Sequence, residues 1–202
     1  MIRIRQVLLI QVGACGLALL ASVEIAAGQS GIKGWGFDVF DSRWNLESFV
    51  EVAAGGEHTV ARRSDGSVVA WGYNGFGECN VPVPPIGLSY VEVAAGCHHM
   101  LARRSDGEVI AWGWNNQGQC NVPPLPAGLT YVEVVAGEYH SLALRSDGWL
   151  AAWGLNASGQ CVVPALPAGI SYVELAAGSN HSVALRSDGS VVAWGGVGSR
   201  SV

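Results

Sequence analysis

Four histidines, His58, His99, His140 and His181, stand 41 residues apart in the chain. A ring of histidines is the first chemistry to weigh, because imidazole is the commonest metal-binding side chain. Zinc, however, needs its ligands about 2.1 Å from one centre. Side chains at equivalent points of separate repeats point along different radii and cannot converge in that way. The ladder is therefore read as structural, each imidazole hydrogen-bonded to neighbouring backbone. Cys97-His98-His99 is the one local cluster. Neighbours on a strand point to opposite faces, so it is not expected to share a metal ion.

Cys79, Cys120 and Cys161 keep the same step. A disulfide needs Cα atoms about 4.4–6.8 Å apart, closer than equivalent points on adjacent repeats should come. These thiols are expected to stay unpaired with one another, as small apolar fillers; a pair involving Cys97 stays open. The aspartates of the four Ser-Asp-Gly turns, at Asp65, Asp106, Asp147 and Asp188, suit local backbone bonding better than acid–base catalysis. Glu51, Glu92, Glu133 and Glu174 read as polar-face strand residues. No serine sits in a nucleophile elbow, and no glycine loop matches a phosphate cradle. No catalytic, cofactor-binding or metal-ligating residue is assigned.

What differs between equivalent positions is freer to serve binding. Before each histidine the pairs are Gly56-Glu57, Cys97-His98, Glu138-Tyr139 and Ser179-Asn180; after Trp-Gly come Tyr73, Trp114 and Leu155. Trp149 follows one Asp-Gly turn where the other repeats carry Ser67, Glu108 and Ser190. Exposed Tyr and Trp are enriched at binding hot spots. Tyr73, Trp114, Tyr139 and Trp149 are the candidate partner-binding residues. The first three are expected on one face, with Trp149 on the reverse.

The elements that position these residues repeat as well. Trp71, Trp112, Trp153 and Trp194 share the 41-residue step, as do Gly55, Gly96, Gly137 and Gly178. Within a unit the period is two. In Tyr90-Val91-Glu92-Val93-Ala94 the valines are expected on one face. His140 to Leu144 reads as a second strand, Ser-Asp-Gly as a hairpin turn, and Ser190 to Trp194 as a third strand. The connector has room for a short outer strand at Cys-Asn-Val-Pro. Three or four antiparallel strands per ~40 residues is the size of a propeller blade, and a blade must stack on neighbours to bury its faces. The fold class is all-β, a β-propeller-type array.

The Trp is followed by Gly, never Asp, and lies only 13 residues after the His, which excludes a tryptophan–aspartate repeat. The pattern A-G-x-x-H-S-x-A-L-x-x-D-G-x-x-x-x-W-G-x-N-x-x-G-Q resembles the regulator of chromosome condensation repeat family over residues 49–195. The resemblance implies a propeller, usually of seven blades. Here units 49–89, 90–130 and 131–171 are whole, 172–195 is partial, 29–48 resembles a shortened leading repeat, and 196–202 abandons the pattern. About four blades imply an open arc or a ring closed by oligomerisation. The family namesake is a nuclear exchange factor for a small GTPase that docks on chromatin.

Residues 1–28 have the layout of a secretory signal peptide: Arg3 and Arg5, an apolar run from Val7 to Val23, then Ala26-Ala27-Gly28. They predict a secreted, periplasmic or cell-surface chain with no stable membrane span after cleavage. Glycine, 28 of 202 residues, is about twice its usual ~7%, which fits many tight turns. With 11 Lys+Arg against 16 Asp+Glu and a net charge of −5, nucleic acid is a poor partner. The sequence predicts an exported, non-catalytic scaffold for a protein or cell-surface glycan, without cofactors and with self-association through open edges. A GTPase exchange factor is the alternative by resemblance, and a propeller hydrolase or lyase the third class.

Overall fold

The computed structural model describes residues 48–196 and two paired dipeptides, β1 (Ser22–Val23) and β2 (Ile32–Lys33). The leader, the leading partial repeat and the tail fall almost entirely outside these residues. Four antiparallel three-stranded sheets follow. They are β3 (Phe49–Ala54), β4 (His58–Arg63) and β5 (Val68–Gly72); β6 (Tyr90–Ala95), β7 (His99–Arg104) and β8 (Val109–Gly113); β9 (Tyr131–Ala136), β10 (His140–Arg145) and β11 (Leu150–Gly154); and β12 (Tyr172–Ala177), β13 (His181–Arg186) and β14 (Val191–Gly195). The array is all-β, and no sheet closes on itself. The Cys-Asn-Val-Pro segment forms no outer strand; the connector is a pair of turns, and each blade has three strands.

Each second and third strand are joined by Ser-Asp-Gly. In blade 1 the turn is clamped by Arg63 N–H to the Ser67 carbonyl at 2.8 Å and Gly66 N–H to the Arg63 carbonyl at 3.0 Å. Gly66 takes φ +80°, a value only glycine adopts without strain. The first strand departs from strict alternation. In every blade a register shift skips the residue after the aromatic, Val50, Val91, Val132 or Val173. Three of these valines are 40–46% exposed, whereas Val93 and Val134 are buried. In blades 1 to 3 the valine after the aromatic and the valine two residues on therefore do not share a face, because the bulge inserts one extra residue between them.

Three hydrophobic cores lie between blades, and a fourth, Phe49, Val52 and Ala61, is formed by blade 1 alone. Ala53 and Val60 of blade 1 pack with Tyr90, Val93, Met100 and Trp112 of blade 2. Leu101 and Val109 of blade 2 pack with Tyr131, Val134 and Trp153 of blade 3. Leu142, Leu144 and Leu150 of blade 3 pack with Tyr172, Leu175 and Trp194 of blade 4. The first strands β3, β6, β9 and β12 lie against one another in succession, and small residues such as Ala53, Ala94, Ala95 and Ala136 are buried there. The far side of blade 4 is open: Val191 is 67% and Val173 46% exposed, and His181 is exposed.

Among the polar bonds that cross the interfaces, three kinds are made at every one by the recurring Trp, His and Glu side chains. Trp112, Trp153 and Trp194 donate Nε1–H to the carbonyls of Glu78, Gln119 and Gln160 of the preceding connector at 2.8–2.9 Å. His58, His99 and His140 reach forward to Met100 Sδ, Ser141 Oγ and Ser182 Oγ at 2.9–3.0 Å. Their partners are thus side chains of the next blade, not backbone. The Ser141 and Ser182 hydroxyls donate their single proton to the Gln119 and Gln160 carbonyls, so each accepts from an imidazole Nε2–H. Burial keeps these rings neutral, lowering His58 and His140 to about 4 and His99 to about 3. The repeated glycine makes room for the ring: a Cβ on Gly96 would lie 2.2 Å from His99 Cε1.

The third bond corrects the expected role of the strand glutamates. Glu51 accepts from Arg62 Nε at 2.7 Å and, through its other oxygen, from Val93 N–H of the next blade at 3.3 Å. Glu92 does the same with Arg103 and Val134 N–H. Glu133 accepts from Leu175 N–H at 3.2 Å, but the position of Arg62 and Arg103 is held in blade 3 by Leu144, 6% exposed in the core. Burial, with only that N–H to offset it among the close contacts, pushes the Glu133 carboxyl up to about 7.

Trp112→Ala is expected to cost ~3–5 kcal/mol of unfolding free energy in chemical denaturation; a loss below ~1 kcal/mol would show that the indole does not couple blades 1 and 2. Glu133 gives a pH test. Its folded pKa is raised, so its contribution is full below the unfolded value of 4.5 and declines as pH rises through about 7. Glu133→Gln keeps the acceptor and removes the titration. Its melting temperature should match wild type near pH 5 and gain on it towards pH 8; a constant difference would show that the carboxyl does not titrate in that window.

Candidate functional site

The site is built from a backbone pairing that recurs at one end of blades 1, 2 and 3. The residue after Trp-Gly donates its N–H to the carbonyl of the residue before His: Tyr73 to Glu57, Trp114 to His98 and Leu155 to Tyr139, each at 2.8 Å. Blades 1, 2 and 3 thus each present two side chains together at this end. The following connector is held by Asn74, Asn115 and Asn156, whose Oδ1 atoms accept from the N–H of Cys79, Cys120 and Cys161 at 2.8 Å.

Across blades these side chains join into an aromatic ladder. Tyr73 meets Phe76 at 5.9 Å and His98 at 6.0 Å between ring centroids. Phe76 lies 5.5 Å from His98 and 5.7 Å from Trp114. Trp114 meets His98 at 6.1 Å and Tyr139 at 5.0 Å. Nearly all contacts are edge-to-face, with interplanar angles of 64–83°; Phe76 against Trp114 is tilted at 31°. Tyr73 is 41% and Phe76 47% exposed; His98, Trp114 and Tyr139 are half-buried.

Tyr73, Trp114 and Tyr139 therefore share one face, as expected. Trp149, 56% exposed, follows the Asp147-Gly148 turn at the other end of β10 from Tyr139. Phe76 and His98 complete the ladder and were not singled out from the sequence as binding residues. Their signal was available: Phe76 stands where the other connectors have Gln117 and Ser158, and His98 where blade 3 has Tyr139.

Beneath the ladder is a second departure from the repeat. Gln119 and Gln160 accept through Oε1 from the N–H of Gln117 and Ser158. At the same point of blade 1 stands Glu78, fully buried, accepting from Phe76 N–H at 2.9 Å. Its other oxygen makes no hydrogen bond and lies 3.4 Å from His98 Nδ1. A buried carboxylate therefore faces the underside of the ladder at the junction of blades 1 and 2.

The other chemically suggestive residues have local jobs. Asp65, Asp106, Asp147 and Asp188 accept from the N–H two residues on, at 2.8–3.2 Å; Asp106 and Asp147 also pair with Arg104 and Arg145. Cys120 and Cys161 are free thiols. Cys120 and Cys161 are half-buried rather than buried and donate to the carbonyls of Trp114 and Leu155; burial pushes both up to about 11. Among the described residues no group of three or more His, Cys, Asp or Glu could hold a metal ion. A shallow groove of about 350 Å³ lies at the opposite end of blade 1, beside Val68, Val81, Pro84 and Tyr90. There Pro84 stands in place of Leu125 and Leu166, which pack against the cores of the later interfaces.

Comparison with known proteins agrees with this anatomy. Residues 49–78, 90–119, 131–160 and 172–198 each match the Regulator of chromosome condensation (RCC1) repeat. A stretch of 37 residues is 51% identical to the X-linked retinitis pigmentosa GTPase regulator homolog of Caenorhabditis elegans, covering 18% of this chain and 3% of that protein. Prp20p from Saccharomyces cerevisiae, whose crystal structure was described with its binding to Gsp1p and histones, is 25% identical with a TM-score of 0.61, over 73% of this chain and 44% of that one. The CRINKLY WD40 ectodomain of the Arabidopsis thaliana receptor kinase ACR4 is 26% identical with a TM-score of 0.57, over 81% of this chain and 56% of that one. The chain thus spans less than half the length of Prp20p and a small fraction of the nematode protein. With four matched repeats covering more than half of its length, it belongs to the regulator of chromosome condensation repeat family.

Proposed function

We propose that this chain is an exported, non-catalytic interaction scaffold that binds a protein or a cell-surface glycan through its aromatic ladder. The observation that carries this reading is the ladder itself: five rings from three blades at one end of the array, made of residues that the repeat does not require. Half-exposed aromatics on a rigid frame bind at low entropic cost. Among the described residues, His58, His99 and His140, the turn aspartates, and Glu51, Glu92 and Glu133 are engaged in bonds between blades or within turns. Export rests on the leader residues Arg3 to Gly28, and the likeness to a receptor-kinase ectodomain is in keeping with it. Among the described residues no helix is long and apolar enough to cross a membrane. The open side of blade 4 adds a route to self-association.

A second reading, a regulator of a small GTPase, draws on the 37-residue match to a GTPase regulator homolog and on the likeness to Prp20p. The leader sequence opposes it.

Two measurements test the first reading. In a screen of the mature chain against arrayed cell-surface proteins and glycans, Trp114→Ala should cost more than ~1 kcal/mol of binding to whichever partner is found, with the melting temperature near wild type. Trp149→Ala, at the other end, should leave that binding unchanged. If Trp114→Ala destabilises the fold as much as Trp112→Ala, both are packing residues and the binding face is lost. For export, intact-mass measurement on secreted material should show a chain starting near Gln29; full-length protein still carrying Met1 in the membrane would overturn the leader assignment.

A further inference from the structure

We infer that the ladder recognises a cationic side chain, an arginine or lysine presented by an extended segment of a protein partner. This rests on the ladder being the binding surface and names the chemistry of what it binds.

The first argument is charge. Between residues 48 and 196 there are six arginines and no lysine. All six, Arg62, Arg63, Arg103, Arg104, Arg145 and Arg186, occupy the last two positions of the second strands, at the Ser-Asp-Gly end. Those strands start at the histidines, so the arginines stand four or five residues away, roughly 13–17 Å along the strand. Among the described residues the fixed charges at the ladder end are all carboxylates: Glu57 beside Tyr73, Glu138 beside Tyr139, and Glu78 below His98. Among the described residues the face therefore carries carboxylates and aromatic rings, with no lysine or arginine beside them and His98 as the one basic group against Glu78.

The second argument is Glu78. It is fully buried, one of its oxygens makes no hydrogen bond, and that oxygen is aimed at the ring of His98 inside the ladder. Blades 2 and 3 use neutral Gln119 and Gln160 for the same turn-holding bond, so the turn does not need a charge. A carboxylate in a poorly solvated position is weakly screened, and its field extends through the rings to the surface. Aromatic faces attract cations through the same sign of potential, and arginine most often. All ring pairs but Phe76 with Trp114 also stand edge-to-face rather than coplanar, a poorer platform for the flat face of a sugar than for a single cationic head.

The repeat supplies a matched test. Glu78→Gln places in blade 1 the residue its neighbours already carry, so the turn should be kept. Titration calorimetry of the full chain at low salt would use acetyl-Gly-Arg-Gly-Arg-Gly-amide, the same peptide with Glu in place of Arg, and chitohexaose. The arginine peptide should bind, the glutamate peptide should not, and binding should weaken as salt is raised. Glu78→Gln should lower affinity for the arginine peptide by about threefold or more, with an unchanged melting curve. Trp114→Ala should lower it by about fivefold. If Glu78→Gln alters the melting curve, Glu138→Gln, at a half-buried position, serves as the second charge-removing variant. Equal affinity for both peptides, or unchanged affinity in the charge-removing variant that folds, would overturn the inference. Binding of chitohexaose that Trp114→Ala abolishes, without binding of the arginine peptide, would also overturn it while leaving the scaffold reading in place. Binding of some probe that Trp114→Ala leaves untouched would overturn the ladder as the surface.

Discussion

A buried imidazole must find a partner, and in this array the partner stands on the following blade. His99 reaches Ser141, and His140 reaches Ser182. Each of those serines passes its proton to the connector of the blade the histidine came from. The tryptophan of the later blade closes on the same carbonyl. One connector carbonyl thus receives a hydroxyl and an indole N–H, and a single interface ties together a strand, a ring and a loop. A blade taken alone would leave the histidine, the tryptophan and the strand glutamate without these bonds, each a buried polar group whose isolation costs free energy. The obligation to stack follows from that as much as from the apolar cores, which are themselves split between neighbours.

Because the interfaces do the stabilising work, the ends of the blades are free to vary. The pairing of the residue after Trp-Gly with the residue before His uses backbone atoms only, so any side chain fits there. Blade 1 has Glu57 and Tyr73, blade 2 has His98 and Trp114, and blade 3 has Tyr139 and Leu155. Stacking then sets these pairs side by side, and the rings meet at 5.0–6.1 Å. The departures from the repeat concentrate around blade 1: Glu78 replaces a glutamine below the ladder, and Pro84 replaces a core leucine at the far end. Leu144 is a departure of another kind. It strengthens the apolar interface of blades 3 and 4 and leaves Glu133 without the arginine its counterparts hold.

Much of this was legible in the sequence. The step of 41 residues, the hairpin turn with its glycine and the antiparallel order all follow from residue type and spacing, because they depend on local backbone preference and on geometry common to every repeat. The shared face of Tyr73, Trp114 and Tyr139 was legible too, since strand direction alone puts their segments at one end. Three readings failed where a local rule was overruled. The valines of the first strand do not share a face, because a bulge that leaves no mark in the hydrophobic pattern adds a residue. The histidines do not bond backbone, and the glutamates are not plain polar-face residues, because their partners lie 42 residues away.

The sequence by itself determined the unit: its period, its strands and turns, and the positions that recur and those that vary. These follow from the short-range physics of residues close along the chain. Only the tertiary structure decided what each recurring polar residue is for, and which varying residues touch. Hydrogen-bond partners on adjacent blades, and ring contacts such as Trp114 with Tyr139, depend on the offset at which one sheet stacks on the next. That offset is set by how Met100, Trp112 and their equivalents fill the space between two blades, a packing constraint that no single repeat contains.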